Sequence, residues 1–92
     1  MLVLPPELTH RQASACLRLL LQGLQALTGA QVVVDASALQ RFDSAALAVL
    51  LACRRRALAR GQAFAVKGLP AGLASMAQRY GIEDLLSESA TA

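Results

Sequence analysis

The sequence predicts a single α/β domain, a small and mostly parallel sheet with helices packed against it. Three observations point there. Val32, Val33 and Val34 form an uninterrupted β-branched run, which suits a pleated strand better than a helix. Long stretches with apolar residues at spacings of three and four alternate with short strand-like runs, the order of a parallel sheet built from strand–helix–strand units. The 92 residues fit one domain spanning 1–92, with 87–92 expected to be a frayed tail. An all-helical reading would have to turn the valine run into helix.

Leu2 to Leu4 reads as a short strand stopped by Pro5 and Pro6, hence an edge strand. Thr9 is placed to cap a helix, and Gln12, three residues on, to reach back to it. Ala13, Cys16, Leu17, Leu20, Leu21, Leu24 and Leu27 give that helix one apolar face, and Gly29 stops it near Thr28. Val32–Val34 does not alternate with polar residues, so a central strand covered on both faces is expected, within an αβα arrangement. Asp35 ends the strand, and Ala36 to Phe42 is a connection. Asp43 or Ser44 caps a second helix carrying Ala46, Leu47, Leu50, Leu51, Ala57 and Leu58 on its apolar side. Arg55, Arg56 and Gln62 face outward, and the stem of Arg54 lies over the edge of the core. Gly61 ends the helix. Ala63 to Val66 is another strand, and Lys67 and Gly68 turn the chain. Pro70 opens a third helix with the stripe Leu69, Leu73, Met76, Ala77 and Tyr80. Gly81 stops it, and Ile82 to Leu86 returns as a short strand or turn with Leu85 or Leu86 as a plug.

Composition narrows the function. Apolar residues make up 55% and charged residues 16%, which excludes disorder. The net charge of +3 is a local arginine cluster (Arg54, Arg55, Arg56, Arg60) without a broad basic face or stacking aromatics, so no nucleic-acid partner is predicted. The opening MLVLPPEL lacks the pattern of a signal peptide, and the longest apolar run, Ala45 to Cys53, is too short to span a bilayer. A cytoplasmic protein without direct membrane insertion is expected.

Chemistry is poorly represented. His10 is the one histidine, and with Cys16 and Cys53 it has no metal-site spacing, so neither metal nor cofactor is predicted. Cys16 and Cys53 sit within helical runs and read as buried small hydrophobes. There is no glycine-rich phosphate loop, and no base is evident to activate Ser44. The protein is therefore expected to be no enzyme. What stands out is Asp35, Ser37, Asp43 and Ser44 between two strongly apolar runs. A helix start beyond a strand end offers an exposed hydroxyl and free amides that a partner can read.

The stretches VVVDASALQRFDSAALAVLLACRRRALARG and QAFAVKGLPAGLASMAQRYGIEDLL resemble the STAS domain family, the anti-sigma-factor-antagonist type of fold, at Asp35, Asp43, Ser44, Leu47, Gly61, Leu69, Leu73, Gly81 and Leu86. The opening LVLPPELTHRQAS resembles the branch called MlaB. The sigma-regulating branch implies a phosphorylated serine, usually the second hydroxyl residue after the aspartate. Here that position is Ala45, and the usual glycine is Ala46. The resemblance thus points to the lipid-transport branch. It implies a non-catalytic subunit, peripheral to the inner membrane, docked on the ATPase of an ABC transporter that moves phospholipid between inner and outer membranes together with its permease. The alternative it implies is an anti-sigma factor antagonist switched by phosphorylation at Ser44. The predicted protein-binding face comprises Leu39, Arg41, Phe42, Asp43, Ser44, Ala45, Ala46, Val49 and Arg54, with Phe42 either its anchor or a plug of the core below the helix. The isolated protein is expected to be able to form a homodimer through the same face.

Overall fold

The computed structural model describes residues 1–86; the tail expected at 87–92 lies outside the described residues. The chain runs β1 (Leu2–Val3), β2 (Glu7–Leu8), α1 (Ala13–Gln25), β3 (Gln31–Asp35), β4 (Arg41–Phe42), α2 (Ser44–Ala59), β5 (Ala63–Lys67), α3 (Ala71–Arg79) and α4 (Glu83–Leu86). β1, β3 and β5 form one parallel sheet in that order, with Leu2 opposite Val34, Val32 opposite Phe64 and Val34 opposite Val66. The valine run is the central strand, and the proline-stopped opening is an edge. Leu4 donates to the Asp35 carbonyl at 2.9 Å, so strand alternation turns Val3 and then Pro5 toward the free edge. Pro5 has no N–H to offer there, which blunts the edge against strand addition.

The order β1-β3-β5 also explains one correction. Each crossover moves one place in the same direction, and right-handed connections then carry α1 and α2 to the same face of the sheet. A sheet covered on both faces needs an order that reverses. Val32, Val34, Phe64 and Val66 are accordingly buried. On the alternate face Val3 is 62% exposed, Gln31, Ala63 and Lys67 are exposed, and Val33 is half-buried; Ala65 is the exception, fully buried. The expected αβα sandwich is a one-sided α/β layer.

α1 and α2 run parallel and are joined at both ends. At their starts His10, in the turn before α1, bonds Asp43, which caps α2. At their ends the Arg60 guanidinium donates to the carbonyls of Gln25 and Leu27, and Gln62 Nε2 donates to those of Leu27 and Gly29 at 3.1 and 2.8 Å. An anionic group at the paired N-termini and a cation at the paired C-termini both suit the helix dipoles. Gln62, expected to face outward, is buried because it carries out this capping; its Oε1 has no partner among the described residues.

The core is mostly aliphatic, with Phe64 its buried aromatic. Leu4, Leu8, Leu24, Leu50, Leu73 and Leu86 are its largest fully buried side chains, each contributing on the order of 2 kcal/mol by burial. α3 and α4 pack on α2, and α4 also reaches β5. Other expectations are adjusted. Thr9 to Gln12 form a turn, and α1 begins at Ala13 with Gln12 Oε1 accepting from the Thr9 amide and hydroxyl. α1 stops at Gln25, so Gly29 plays no part in ending it. Leu58 and Tyr80 are 45% and 60% exposed, each at the outer edge of its helix. Ile82 to Leu86 closes as a helical turn in which Leu86, not Leu85, is the plug. The expected loop from Ala36 to Phe42 contains β4, paired in parallel with β2. Gln40 and Arg41 both donate to the Pro6 carbonyl, at 2.7 and 3.0 Å, which draws the two segments together.

Candidate functional site

Asp43 is the hub of the polar end of the domain. Its extended backbone (φ −135°, ψ −167°) is that of an N-cap, and its Oδ1 accepts from the Ala45 amide at 2.8 Å. Its Oδ2 accepts from the His10 amide at 3.0 Å. His10 Nδ1 lies 3.0 Å from the same oxygen, a hydrogen bond in the tautomer that carries its proton there. The His10 amide, then the His10 ring, then the Ala45 amide hold the Asp43 carboxyl below the usual aspartate range. One carboxylate thus serves the start of α2 and the turn leading into α1.

A second chain of contacts runs beside it. Arg41 Nη1 meets Glu7 Oε2 at 3.3 Å, Glu7 Oε1 accepts from Gln12 Nε2 at 2.8 Å, and Gln12 turns its oxygen to Thr9. Between these groups lies a polar recess of about 340 Å³ bordered by Glu7, His10, Arg11, Arg41 and Asp43. His10, Arg11 and Glu7 were not among the predicted site residues. They lie some 30 residues from Asp43 in sequence, and only the parallel pairing of β2 with β4 brings them there.

Asp35 and Ser37 make a separate, self-contained turn at the carboxyl end of β3. Asp35 Oδ1 accepts from the Ser37 hydroxyl at 2.6 Å and the Ser37 amide at 2.9 Å. These bonds, with Lys67 assisting, lower the Asp35 pKa. Gly68, with φ +70°, passes so close that a Cβ there would sit 2.9 Å from the Ser37 Cβ.

The predicted interface residues fall into three groups. Arg41 and Ser44 are exposed, and Phe42, Asp43 and Ala45 are half-buried, all around the start of α2. Ser44 is the first residue of that helix, and its hydroxyl has no hydrogen-bond partner among the described residues. Leu39, Ala46 and Val49 were expected on the exposed face, but they are 4%, 0% and 3% exposed and belong to the core. The reason for the last two is rotation: Ala46 and Val49 lie on the stripe that includes Leu50 and Cys53, which α2 turns inward. Arg54 is half-buried and stands three turns along α2, ~16 Å from Asp43, away from the site. Phe42 packs on the core and beside α3, where a Cβ at Gly72 would lie 3.2 Å from its ring. That contact accounts for a glycine inside the first turn of α3.

The Nδ1 of the one histidine is directed at Asp43, and both thiols are buried. Burial, with the Cys16 thiol adding to it, pushes Cys53 up to about 11, and burial raises Cys16 as well. Among the described residues no group of three His, Cys, Asp or Glu side chains is placed to hold a metal, and no helix is long and apolar enough to cross a membrane.

A protein-family model described as "Mlab, STAS domain" matches residues 1–87. The chain belongs to this MlaB-like STAS family. No curated protein matches the sequence. The STAS assignment covers every described element, from the edge strand through α4. In this STAS domain the aspartate–serine pair at the start of α2 is built as a cap followed by an exposed hydroxyl. The two alanines behind it supply no second one.

Proposed function

We propose that this STAS domain is a non-catalytic accessory subunit that docks on the cytoplasmic ATPase of an ABC transporter moving phospholipids between inner and outer membranes. It stabilises or regulates that ATPase and is held at the inner membrane through it and its permease. The observation that carries this reading is the family match over residues 1–87, described by the name Mlab. The site is consistent with it. STAS domains are generally non-catalytic, and the start of α2 presents a surface rather than a reaction centre. Arg41, Phe42, Asp43, Ser44 and Ala45 form the docking face, with Leu39, Ala46 and Val49 supporting it from the core. In isolation a second copy can occupy the same face.

A second reading is favoured by one observation, the exposed Ser44 hydroxyl at the first position of α2. A phosphoryl group there would meet free helix amides. The protein would then be an anti-sigma factor antagonist that a kinase switches. One experiment separates the two. Affinity purification from detergent-solubilised native membranes recovers an ABC ATPase with its permease under the transport reading, and Ser44→Glu or Ala45→Arg reduces that recovery on the order of tenfold by placing an unpaired charge at the interface. Wild-type recovery by both variants refutes the docking face. A histidine-kinase-like partner and phosphate on Ser44 support the signalling reading.

A further inference from the structure

We propose that the groove between α1 and α2 is a second docking surface, which takes an acidic amphipathic helix of a partner protein. The parallel helices touch along their buried sides and leave a valley of about 380 Å³ on the solvent side. Leu17 and Leu21 of α1 and Ala52 and Ala59 of α2 supply its apolar walls, and Arg55 and Arg56 stand on its rim. Leu17, Leu21 and Ala52 are half-buried, so the apolar atoms are recessed below the exposed guanidinium groups. The alanines leave room that larger side chains would fill. Beyond it Arg60 ties the helix ends together by donating to the carbonyls of Gln25 and Leu27.

The charge is unanswered within the described residues. Their carboxylates are Glu7, Asp35, Asp43, Glu83 and Asp84. Glu7 meets Arg41, Asp43 meets His10, Asp35 is occupied by Ser37, and Glu83 and Asp84 open α4. None of them pairs with Arg55 or Arg56. A recessed apolar floor under a cationic rim fits side chains inserted at helical spacing with carboxylates flanking them. A membrane surface fits less well, because it is met by projecting apolar groups. The large exposed ones on α1 and α2, Leu19 and Leu58, lie outside the groove. Nor does any of Phe42, Phe64 and Tyr80 line it as a stacking platform for bases. Ala52 and Ala59 are about 12 and 22 Å along α2 from Ser44, so this surface is separate from the face at the helix start.

The test is site-specific photocrosslinking of the full chain in its native host, with p-benzoylphenylalanine placed at the exposed Ala59. The expected adduct is a protein segment whose sequenced peptide carries carboxylates beside an apolar stripe at helical spacing. Arg55→Glu with Arg56→Glu lowers the adduct yield at least tenfold, while Arg55→Lys with Arg56→Lys retains it. Unchanged circular dichroism and urea midpoint of the glutamate variant show that the loss is not unfolding. A neutral or basic partner segment, a phospholipid, nucleic-acid or self adduct, no adduct, or an undiminished yield in the glutamate variant overturns the proposal. A second photoprobe at Ser44 reports on the ATPase docking face alone, so failure of that reading is seen separately.

Discussion

Replacing Gly68 by alanine tests how the candidate site is braced. Gly68 has φ +70°, and a Cβ on it would lie 2.9 Å from the Ser37 Cβ and 3.2 Å from the Ser37 backbone Cα and N. Left-handed backbone costs a residue with a Cβ ~1–2 kcal/mol, and the lower entropy of the unfolded alanine chain returns ~0.4–1 kcal/mol. Forcing an atom against fixed backbone adds ~1–3 kcal/mol of the overpacking kind. Ser37 is held by its own bonds to Asp35 and cannot swing away as a flexible side chain would. The sum is about 1–5 kcal/mol, a large share of the ~5–14 kcal/mol expected for a domain of 92 residues. Gly81 is the internal control, with φ +71° and no atom within 4 Å of a Cβ. Gly81→Ala carries the backbone strain without the clash and is expected to cost under about 2 kcal/mol. The measurement is urea unfolding followed by circular dichroism. With a slope of about 1 kcal/mol per molar, the clash sets the Gly68→Ala midpoint ~1–3 M below that of Gly81→Ala. Ser37→Gly in the Gly68→Ala background recovers part of the difference. Equal costs at the two glycines would refute the close approach at Ser37.

Three other outcomes follow from the same contacts. The Asp43 carboxyl has its pKa depressed in the folded state, chiefly by the His10 bonds. Its contribution to stability is therefore fully present above the unfolded pKa near 4 and is lost as pH falls through the lower folded value. Asp43→Asn should flatten the thermal midpoint against pH below pH 4 relative to the wild type, and an unchanged acid limb would count against the bridge. Leu50, fully buried where α2 meets the rest of the core, should cost ~2–5 kcal/mol as Leu50→Ala by urea unfolding, whereas Leu58→Ala at a 45% exposed position should cost well under half of that. Cys53, with its thiol pushed up to about 11 by burial, and buried Cys16 should resist a disulfide-exchange reagent at pH 8 until denaturant is added; rapid labelling of the native protein would contradict their placement.

The elements that the sequence made legible are those whose residues act locally. The valine run had one reasonable use, a central strand, and the prolines after Leu4 marked an edge. Asp43 as a cap was readable from its position before an apolar helix. The second face of the sheet was not readable, because no residue in β3 encodes the direction of a crossover; strand order sets it. Val33 belongs to the same apolar run as Val32 and Val34 and still ends half-buried. His10 illustrates the same limit at the site. Its partner is 33 residues away, and the contact depends on the two-residue pairing of β2 with β4, too short to leave a periodic signal. Gln62 read as an outward polar residue, and nothing local showed that the end of α1 would need its amide. Val49 and Ala46 were misplaced for a different reason. Ala45 through Cys53 is apolar all round, so the pattern does not say which face turns inward.

The strand order also decides where the polar groups gather. Because α1 and α2 lie on one face and run parallel, their N-termini fall together at the end where β3 and β5 finish. Asp35, Ser37 and Gly68 belong to those strand ends, and Asp43 and Ser44 to the helix start, so the polar groups and the exposed hydroxyl gather at one pole. The same parallel pairing exposes the long valley between the helices and leaves the arginines of α2 along its rim. Two surfaces of different chemistry, one polar and compact, the other apolar with a cationic border, thus arise from a single topological choice. A substitution at one is expected to leave the other intact, since the buried stripe of Leu47, Leu50, Cys53 and Ala57 that holds α2 in place belongs to neither.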